Sequence, residues 1–285
     1  MKSAGILYIV ATPIGNRGDL SERAREVLGS VETIAAEDTR YSGALLASLG
    51  IAKPMLSLHE HNESRRIGEL LARLQAGESV AVVSDAGTPL ISDPGFDLVR
   101  AAIAAHVRVV PIPGPCAVIA ALSVAGLPTD KFVFEGFLAA KSSARCEQLA
   151  ALKHETRTLV FYEAPHRIVE TLQDMAERLG GARQATVARE LTKQFETLYH
   201  ASLAELAARA KDDNDMQRGE IVIVVAGAAA SAVQTTQLDA AEVLRVLMEE
   251  LPASQAAKLA ARLTGAKRSE LYEMAVAVSE ERKRS

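Results

Sequence analysis

The sequence predicts an α/β protein of two domains, the first on a parallel five-stranded sheet and the second on a mixed sheet, followed by a small C-terminal helix-turn-helix module. Three observations carry that prediction. Short apolar runs alternate with helix-length segments through residues 6–125, the pattern of a parallel sheet with right-handed crossovers. After Gly126-Leu127-Pro128 the alternation loosens, and two strand-like runs follow each other without a helix between them. Beyond a small, polar, aperiodic stretch at 228–238, only helical patterns remain. The expected boundaries are therefore 1–126, 127–227, a linker at 228–238 and a helical module at 239–285.

Each element has its own reason. ILYIVA (6–11) is a short continuous apolar run, as in a strand buried on both faces. Ser21–Leu28 reads as a helix capped by Asp19 or Ser21. TIAA (33–36), PMLSL (54–58), VAVVS (80–84) and VRVVPI (107–112) continue the strand series. Between them lie helices at Tyr41–Leu49, Glu63–Gln75 and Phe96–Ala105, and Cys116–Ala125 follows the last. Gly50, Gly77 and Gly126 supply three of the stops. In the second domain, strands are expected at Lys131–Phe137, Thr158–Glu163, Ala185–Glu190, Glu196–His200 and Glu220–Ala226. Helices fit at Ser143–Leu152, Arg167–Leu179 and Leu203–Lys211, and in the tail at Asp239–Glu250, Ser254–Leu263 and Arg268–Val278.

Composition narrows the function classes. The 285 residues are 48% hydrophobic and 24% charged, which suits a chain that buries a full core. A net charge of −4 argues against coating nucleic acid by overall charge, though not against a local basic patch. Cys116 and Cys146 make no disulfide framework and no C-x-x-C, so a reducing cytoplasm is expected. The longest apolar run, Ile221–Ala230, is half of the roughly 20 residues a spanning helix needs, and no targeting segment is read at the N-terminus. The nucleotide-triphosphate and dinucleotide glycine motifs, H-E-x-x-H and G-x-S-x-G are all absent.

Ligands of open parallel sheets bind beyond the carboxyl ends of the strands. The exit loops are ATPIGNRGDL (11–20), EDTR (37–40), HEHNE (59–63), SDAGTPLISDPG (84–95) and PIPGPC (111–116), with YEAPHR (162–167) in the second domain. Gly/Pro-rich loops are usually only turns. The run 84–95 is too long for a mere connection, which typically takes about 2–6 residues, and is expected to hold a ligand. His59, Glu60, His61 and Glu63 read as a polar rim rather than a metal site, and no metal is expected. Cys116 reads as a small helix-start residue rather than a nucleophile.

ATPIGNRGDLSERA, AAEDTR, SLHEHNE, SDAGTPLISDPG, PIPGPCA, FYEAPHR and ARELTK occur in this order. Together they resemble the bacterial 16S ribosomal RNA (cytidine-2′-O)-methyltransferases of the tetrapyrrole-methylase superfamily, over about residues 5–280. The resemblance implies a two-domain tetrapyrrole-methylase-like fold that binds S-adenosylmethionine in the cleft between domains. It implies that Thr12 and Pro13 line the cleft floor, and that Asp85, Gly87, Thr88 and Ile91 approach the cofactor. Cys116 and Ala117 would present backbone atoms, and Tyr162, Ala188, Glu220 and Ile221 would hold the adenine side. It also implies a 16S rRNA or small-subunit substrate, a homodimer and no membrane. A base must take the ribose proton. Glu163 and His166 are favoured, with Asp38 and His59 next. Arg40, Arg167 and Lys193 are expected to meet phosphates. A tetrapyrrole or small-metabolite methylase of the same fold, or a non-catalytic nucleic-acid-binding regulator, stands as the alternative.

The tail speaks for RNA on its own account. Residues 254–276 carry a helix-turn-helix pattern divided at Thr264-Gly265. From 258 to 285 there are seven Lys and Arg against four Glu, so the rest of the chain is correspondingly more acidic. Lys258, Arg262, Lys267 and Arg268 are the expected RNA contacts; the alternative is a helical hairpin that packs on a partner subunit.

Overall fold

The computed structural model describes residues 4–59, 62–229 and 240–284, with side chains as far as Val276. The expected linker lies outside the described residues from 230 onward, as do Glu60 and His61. The chain forms two compact units, 1–228 and 229–285.

The first unit begins with a parallel sheet of β1 (Ile6–Val10), β2 (Thr33–Ala36), β3 (Met55–Ser57), β4 (Val80–Val83) and β5 (Arg108–Ile112), in the order β3-β2-β4-β1-β5. Every residue of β2 and β4 is buried, as continuous apolar runs require. Helices α1 (Glu22–Ser30), α2 (Thr39–Ser48), α3 (Glu63–Gln75) and α4 (Phe96–Ala104) join the strands. Ser21, not Asp19, caps α1: its hydroxyl accepts from the Ala24 N–H at 3.1 Å. β1 leads to β2 on one side and β4 leads to β5 on the other, so the winding reverses between β1 and β4. The crevice at such a reversal is where an α/β sheet holds its ligand.

The second sheet comprises β6 (Phe132–Phe137), β7 (Thr158–Glu163), β8 (Gln184–Arg189), β9 (Thr197–Ser202) and β10 (Ile221–Val225), in the order β6-β7-β10-β8-β9. Only β6 and β7 are parallel, and the other pairs are antiparallel. Ile221, Ile223 and Val225 face a core built with α6 (Ser142–Ala151), α7 (Ile168–Leu179) and α8 (Leu203–Asp212). Val222 and Val224 face the other way and meet α5 (Ala117–Val124) through Val118, Ala121 and Leu122.

That last packing differs from the division read in the sequence. α5 belongs by sequence to the first domain, yet it packs on the second sheet. Its residues AVIAALSV are apolar nearly all round, and Val118, Ala121 and Leu122 are the ones it buries. Thr186 fixes its end by donating to the Ala125 carbonyl at 2.9 Å. α5 thus covers the second sheet although it follows the last strand of the first.

The second unit contains α9 (Ala240–Glu250), α10 (Ala253–Thr264) and α11 (Arg268–Arg284), packed around Leu244, Ala256, Ala260, Leu271 and Ala275. Gly265 ends α10 in the left-handed region, at φ 73°, where glycine carries no steric penalty. α11 runs six residues past its expected end at Val278. Among the described residues no helix is long and apolar enough to cross a membrane.

The ten strands of the described residues and their buried cores lie within the first unit. A chain ending at Gln237 is therefore expected to unfold in one cooperative transition near that of the full-length protein. Scanning calorimetry checks this, and loss of the cooperative transition would mean that the first unit depends on the second.

Candidate active site

The site is built by pinning strand-exit loops to one another. Just past β1, Thr12 and Gly87 exchange backbone hydrogen bonds, at 2.8 Å from the Thr12 N–H and 3.1 Å from the Gly87 N–H. The Thr12 hydroxyl also donates to the Ser84 carbonyl at 3.3 Å. Thr88 then donates to the Pro115 carbonyl at 2.9 Å, tying the loop to the turn after β5. Across the cleft, the Asn16 N–H donates to the Thr192 hydroxyl at 3.1 Å, joining the exits of β1 and β8. Four positions in the 84–95 loop have positive φ: Gly87 at 82°, Leu90 at 73°, Ser92 at 69° and Gly95 at 120°. Leu90 and Ser92 are not glycines, so this backbone stores strain, as functional loops commonly do.

These loops enclose a cavity of about 360 Å³ between the two sheets. That lies within the ~300–1,000 Å³ of small-ligand sites. Of the expected cofactor residues, Gly87, Thr88, Ile91, Cys116, Ala117, Tyr162, Ala188, Glu220 and Ile221 line it. Thr12, Pro13 and Asp85 do not. Thr12 is buried, with its polar atoms spent on the 84–88 segment. The floor belongs instead to Ile14. Asp85 points toward the β2 exit, where one oxygen accepts from the Asp38 N–H at 3.0 Å. Burial pushes its carboxyl upward, against the pull of that bond.

The expected bases fare differently. Glu163 lines the cavity but is 3% exposed and fully engaged. It accepts from the Ala164 N–H at 2.7 Å and the Thr171 hydroxyl at 2.5 Å, and pairs with Arg167 at 3.3 Å. These bonds tie the turn after β7 to α7 and occupy both carboxylate oxygens. His166 is exposed on the short turn 165–167 and lies outside the cavity. Asp38 caps α2 and pairs with Arg40 at 2.6 Å. The Arg40 guanidinium holds that carboxyl well below the usual range, which makes it a poor base. His59 leaves the edge strand β3, and its ring meets the Asn62 amide at 3.0 Å, away from the cavity. Glu63 accepts from the Leu98 N–H at 3.2 Å.

Two expected phosphate contacts are also spent internally. Arg167 donates to the Leu138 carbonyl at 2.7 Å. Lys193 pairs with Glu190 at 2.9 Å and Glu220 at 3.2 Å. Lys258, Arg262, Lys267 and Arg268 are exposed on α10, on α11 and in the turn between them.

Sequence reasoning did not single out Ile14, Phe137 or Asp93, which also line the cavity. Phe137 lies tilted against Tyr162, with ring centroids 5.5 Å apart, and Phe134 meets the same ring edge-on at 4.9 Å. Desolvation pushes the Tyr162 hydroxyl well above its ordinary value. Asp93 is pushed up to about 6, first by burial and then by the carboxylates of Glu37 and Asp85, against the neighbouring Ser84 hydroxyl. The signal for Asp93 was Asp-Pro-Gly inside a loop already marked for a ligand.

The profile of the Tetrapyrrole (Corrin/Porphyrin) Methylases matches residues 6–207, and that of the RsmI C-terminal HTH domain matches residues 228–279. The fold is similar to that of the uroporphyrin-III C-methyl transferase from Thermus thermophilus complexed with S-adenyl homocysteine. The TM-score is 0.55 at 19% identity, over 78% of this chain and 97% of that one. The chain is thus a tetrapyrrole-methylase-fold protein. The ribosomal RNA small subunit methyltransferase I of Pseudomonas aeruginosa is 54% identical over 96% of this chain and 98% of its own. That of Xylella fastidiosa, strain Temecula1, is 56% identical over 95% and 99%. The chain belongs to the ribosomal RNA small subunit methyltransferase I family.

The raised Asp93 carboxyl has a consequence for stability. A carboxyl whose folded value is raised from 3.8 to about 6 contributes fully below about pH 4, and that contribution is lost as pH rises through 6. Asp93→Asn is therefore expected to gain on the wild type between pH 4 and 6.5, by on the order of 1 kcal/mol after solvent screening, and to hold a constant lead above. Urea denaturation at stepped pH reads this directly, and parallel pH curves would refute it.

Proposed function

We propose that the protein transfers a methyl group from S-adenosylmethionine to the 2′-hydroxyl of a cytidine in 16S rRNA, acting in the cytoplasm as a homodimer. The observation that carries the reading is that similarity to ribosomal RNA methyltransferases runs through both units, including the small helical one.

The cleft suits the cofactor. Cysteine, alanine and isoleucine side chains make its walls, with Gly87 bringing backbone close to the space. A Cβ on Gly87 would stand 3.2 Å from Ile14 and in a backbone region at φ 82° that side chains rarely adopt. Gly87, Thr88, Cys116 and Ala117 would hold one end of S-adenosylmethionine, and Tyr162, Ala188 and Ile221 the adenine. The cofactor supplies a methyl group on a positively charged sulfur, already a strong donor. What remains for the protein is alignment and acceptance of one proton. The apolar lining excludes the water that would compete for the methyl group.

The second unit supplies the attraction for RNA. Lys258 and Arg262 lie one helical turn apart on α10, so they share a face. Lys267 and Arg268 stand at the start of α11, where the helix dipole disfavours cations. Lys267 is partly offset by Glu270 at 3.5 Å. Placing two cations at that end is costly in the free protein and favourable once a phosphate is between them.

Two outcomes are expected. Gly87→Val should weaken S-adenosylhomocysteine binding at least tenfold while the circular dichroism spectrum stays unchanged; titration calorimetry with normal affinity would move the cofactor site elsewhere. Replacing Lys258, Arg262 and Arg268 by alanine should reduce the slope of log K against log salt for 16S rRNA by roughly 0.7–0.9 for each phosphate these cations neutralise. An unchanged slope would place the RNA site on the first unit.

A further inference from the structure

Among the described residues, five titratable side chains line the cleft: Asp93, Cys116, Tyr162, Glu163 and Glu220. Four of them are ill suited to receive a proton from a ribose hydroxyl. Glu163 is spent on Thr171, Arg167 and the Ala164 N–H. Glu220 is 69% exposed at the rim and pairs with Lys193. Desolvation keeps the Tyr162 hydroxyl protonated, against the pull of the Val118 N–H. Only a thiolate could take a proton at Cys116, and among the described residues no Lys, Arg or His lines the cleft to draw the thiol proton off.

Asp93 is placed differently. It sits between two proline- and glycine-imposed turns, directly after Ser92 in the left-handed region. Ser92 abuts the bulge at Gly136 in β6, where an added Cβ would stand 3.4 Å from the Ser92 hydroxyl. The loop tip thus spans from the first sheet to the second and holds Asp93 against the cavity. Strain at Leu90 and Ser92 has no use in merely connecting β4 to α4, which a shorter turn could do. Resting on the functional reading above, we propose that Asp93 is the proton acceptor of the methyl transfer.

In this step the ribose 2′-oxygen forms its bond to the methyl carbon as its proton passes to the Asp93 carboxylate. The electron pair of the broken sulfur–carbon bond returns to sulfur, leaving neutral S-adenosylhomocysteine, an O-methyl ribose and a neutral Asp93. Charge balances, and no other reactant is needed. The groups facing Asp93 are Glu37 from the β2 exit, Ser84 and Asp85 from the β4 exit, and Tyr162 from β7. Arg40 acts on this cluster only through Asp38 and Asp85. Two neighbouring carboxylates and an apolar wall favour the protonated acid, so the proton is retained once taken, and release to solvent resets the site.

The test uses full-length protein, small ribosomal subunits and three readouts. Single-turnover transfer by the wild type is expected to fall below about pH 6 with unit slope. Asp93→Asn should lose that limb and about 10²–10⁴-fold in rate. Asp93→Glu, which keeps a carboxylate, should retain the limb at reduced rate. S-adenosylhomocysteine affinity, read by calorimetry, should change less than about threefold in both variants. Carbon-13 labelling of aspartate should show a carboxyl titrating near pH 6 in the wild type and missing from Asp93→Asn. Rates within threefold of wild type, a tenfold loss of affinity in place of rate, or an Asp93 carboxyl titrating near 4 would each overturn the proposal. A wild type that transfers no methyl group to rRNA would overturn the functional reading and this proposal together. A wild type that transfers while Asp93→Asn matches it would overturn this proposal alone.

Discussion

The paired backbone hydrogen bonds between Thr12 and Gly87 are the constraint on which the cleft depends. They extend the sheet by one antiparallel step beyond the point where β1 and β4 diverge. A parallel sheet ends there with unpaired N–H and C=O groups, which are costly to bury alone. Closing them on each other fixes where the 84–95 loop begins. The loop is then held a second time by Thr88 at Pro115 and a third time by its approach to Gly136. With so many restraints, its strained residues persist without relaxing. Backbone geometry, rather than a set of charged side chains, shapes the ligand space.

α5 adds the second constraint. It starts at the Pro-Gly-Pro turn of the first sheet and spends its apolar surface on the second. Val118, Ala121 and Leu122 are buried there against Val222 and Val224. Burying side chains of this size is worth roughly 1.5–3 kcal/mol each for the larger ones. A cleft between domains is often a place of relative motion. Here α5 ties the second sheet to the Pro-Gly-Pro turn that follows the last strand of the first.

Most of the scaffold was legible in the sequence because buried strands and capped helices obey short-range rules. VAVV at 80–83 and IVIVV at 221–225 have no other comfortable home than a sheet interior. The long loop at 84–95 declared itself by its density of Gly, Pro and Asp. Side-chain roles were harder to read. Glu163 and His166 are three apart on a strand exit and look like a catalytic pair, but the turn at Pro165 sends His166 to solvent while Arg167 and Thr171 capture the carboxylate. Lys193 and Arg167 look like free cations until their partners, distant in sequence, are known. Asp93 stands out only in three dimensions, because its distinction is what surrounds it.

Among the described residues β10 is the last strand, and it is the middle strand of its sheet. Until β10 has been synthesised, β7 and β8 each lack the strand they pair with in the finished sheet, and an unpaired strand edge is a template for association. At about 5–20 residues per second, the chain spends seconds between the emergence of β8 and that of β10. The cleft, with Ile14 on its floor and Val222 in its wall, is incomplete for that whole interval. A nascent chain stalled before residue 221 would present two open edges to its neighbours on a polysome, so for this protein the hazard of aggregation is concentrated in the final fifth of the first unit's translation.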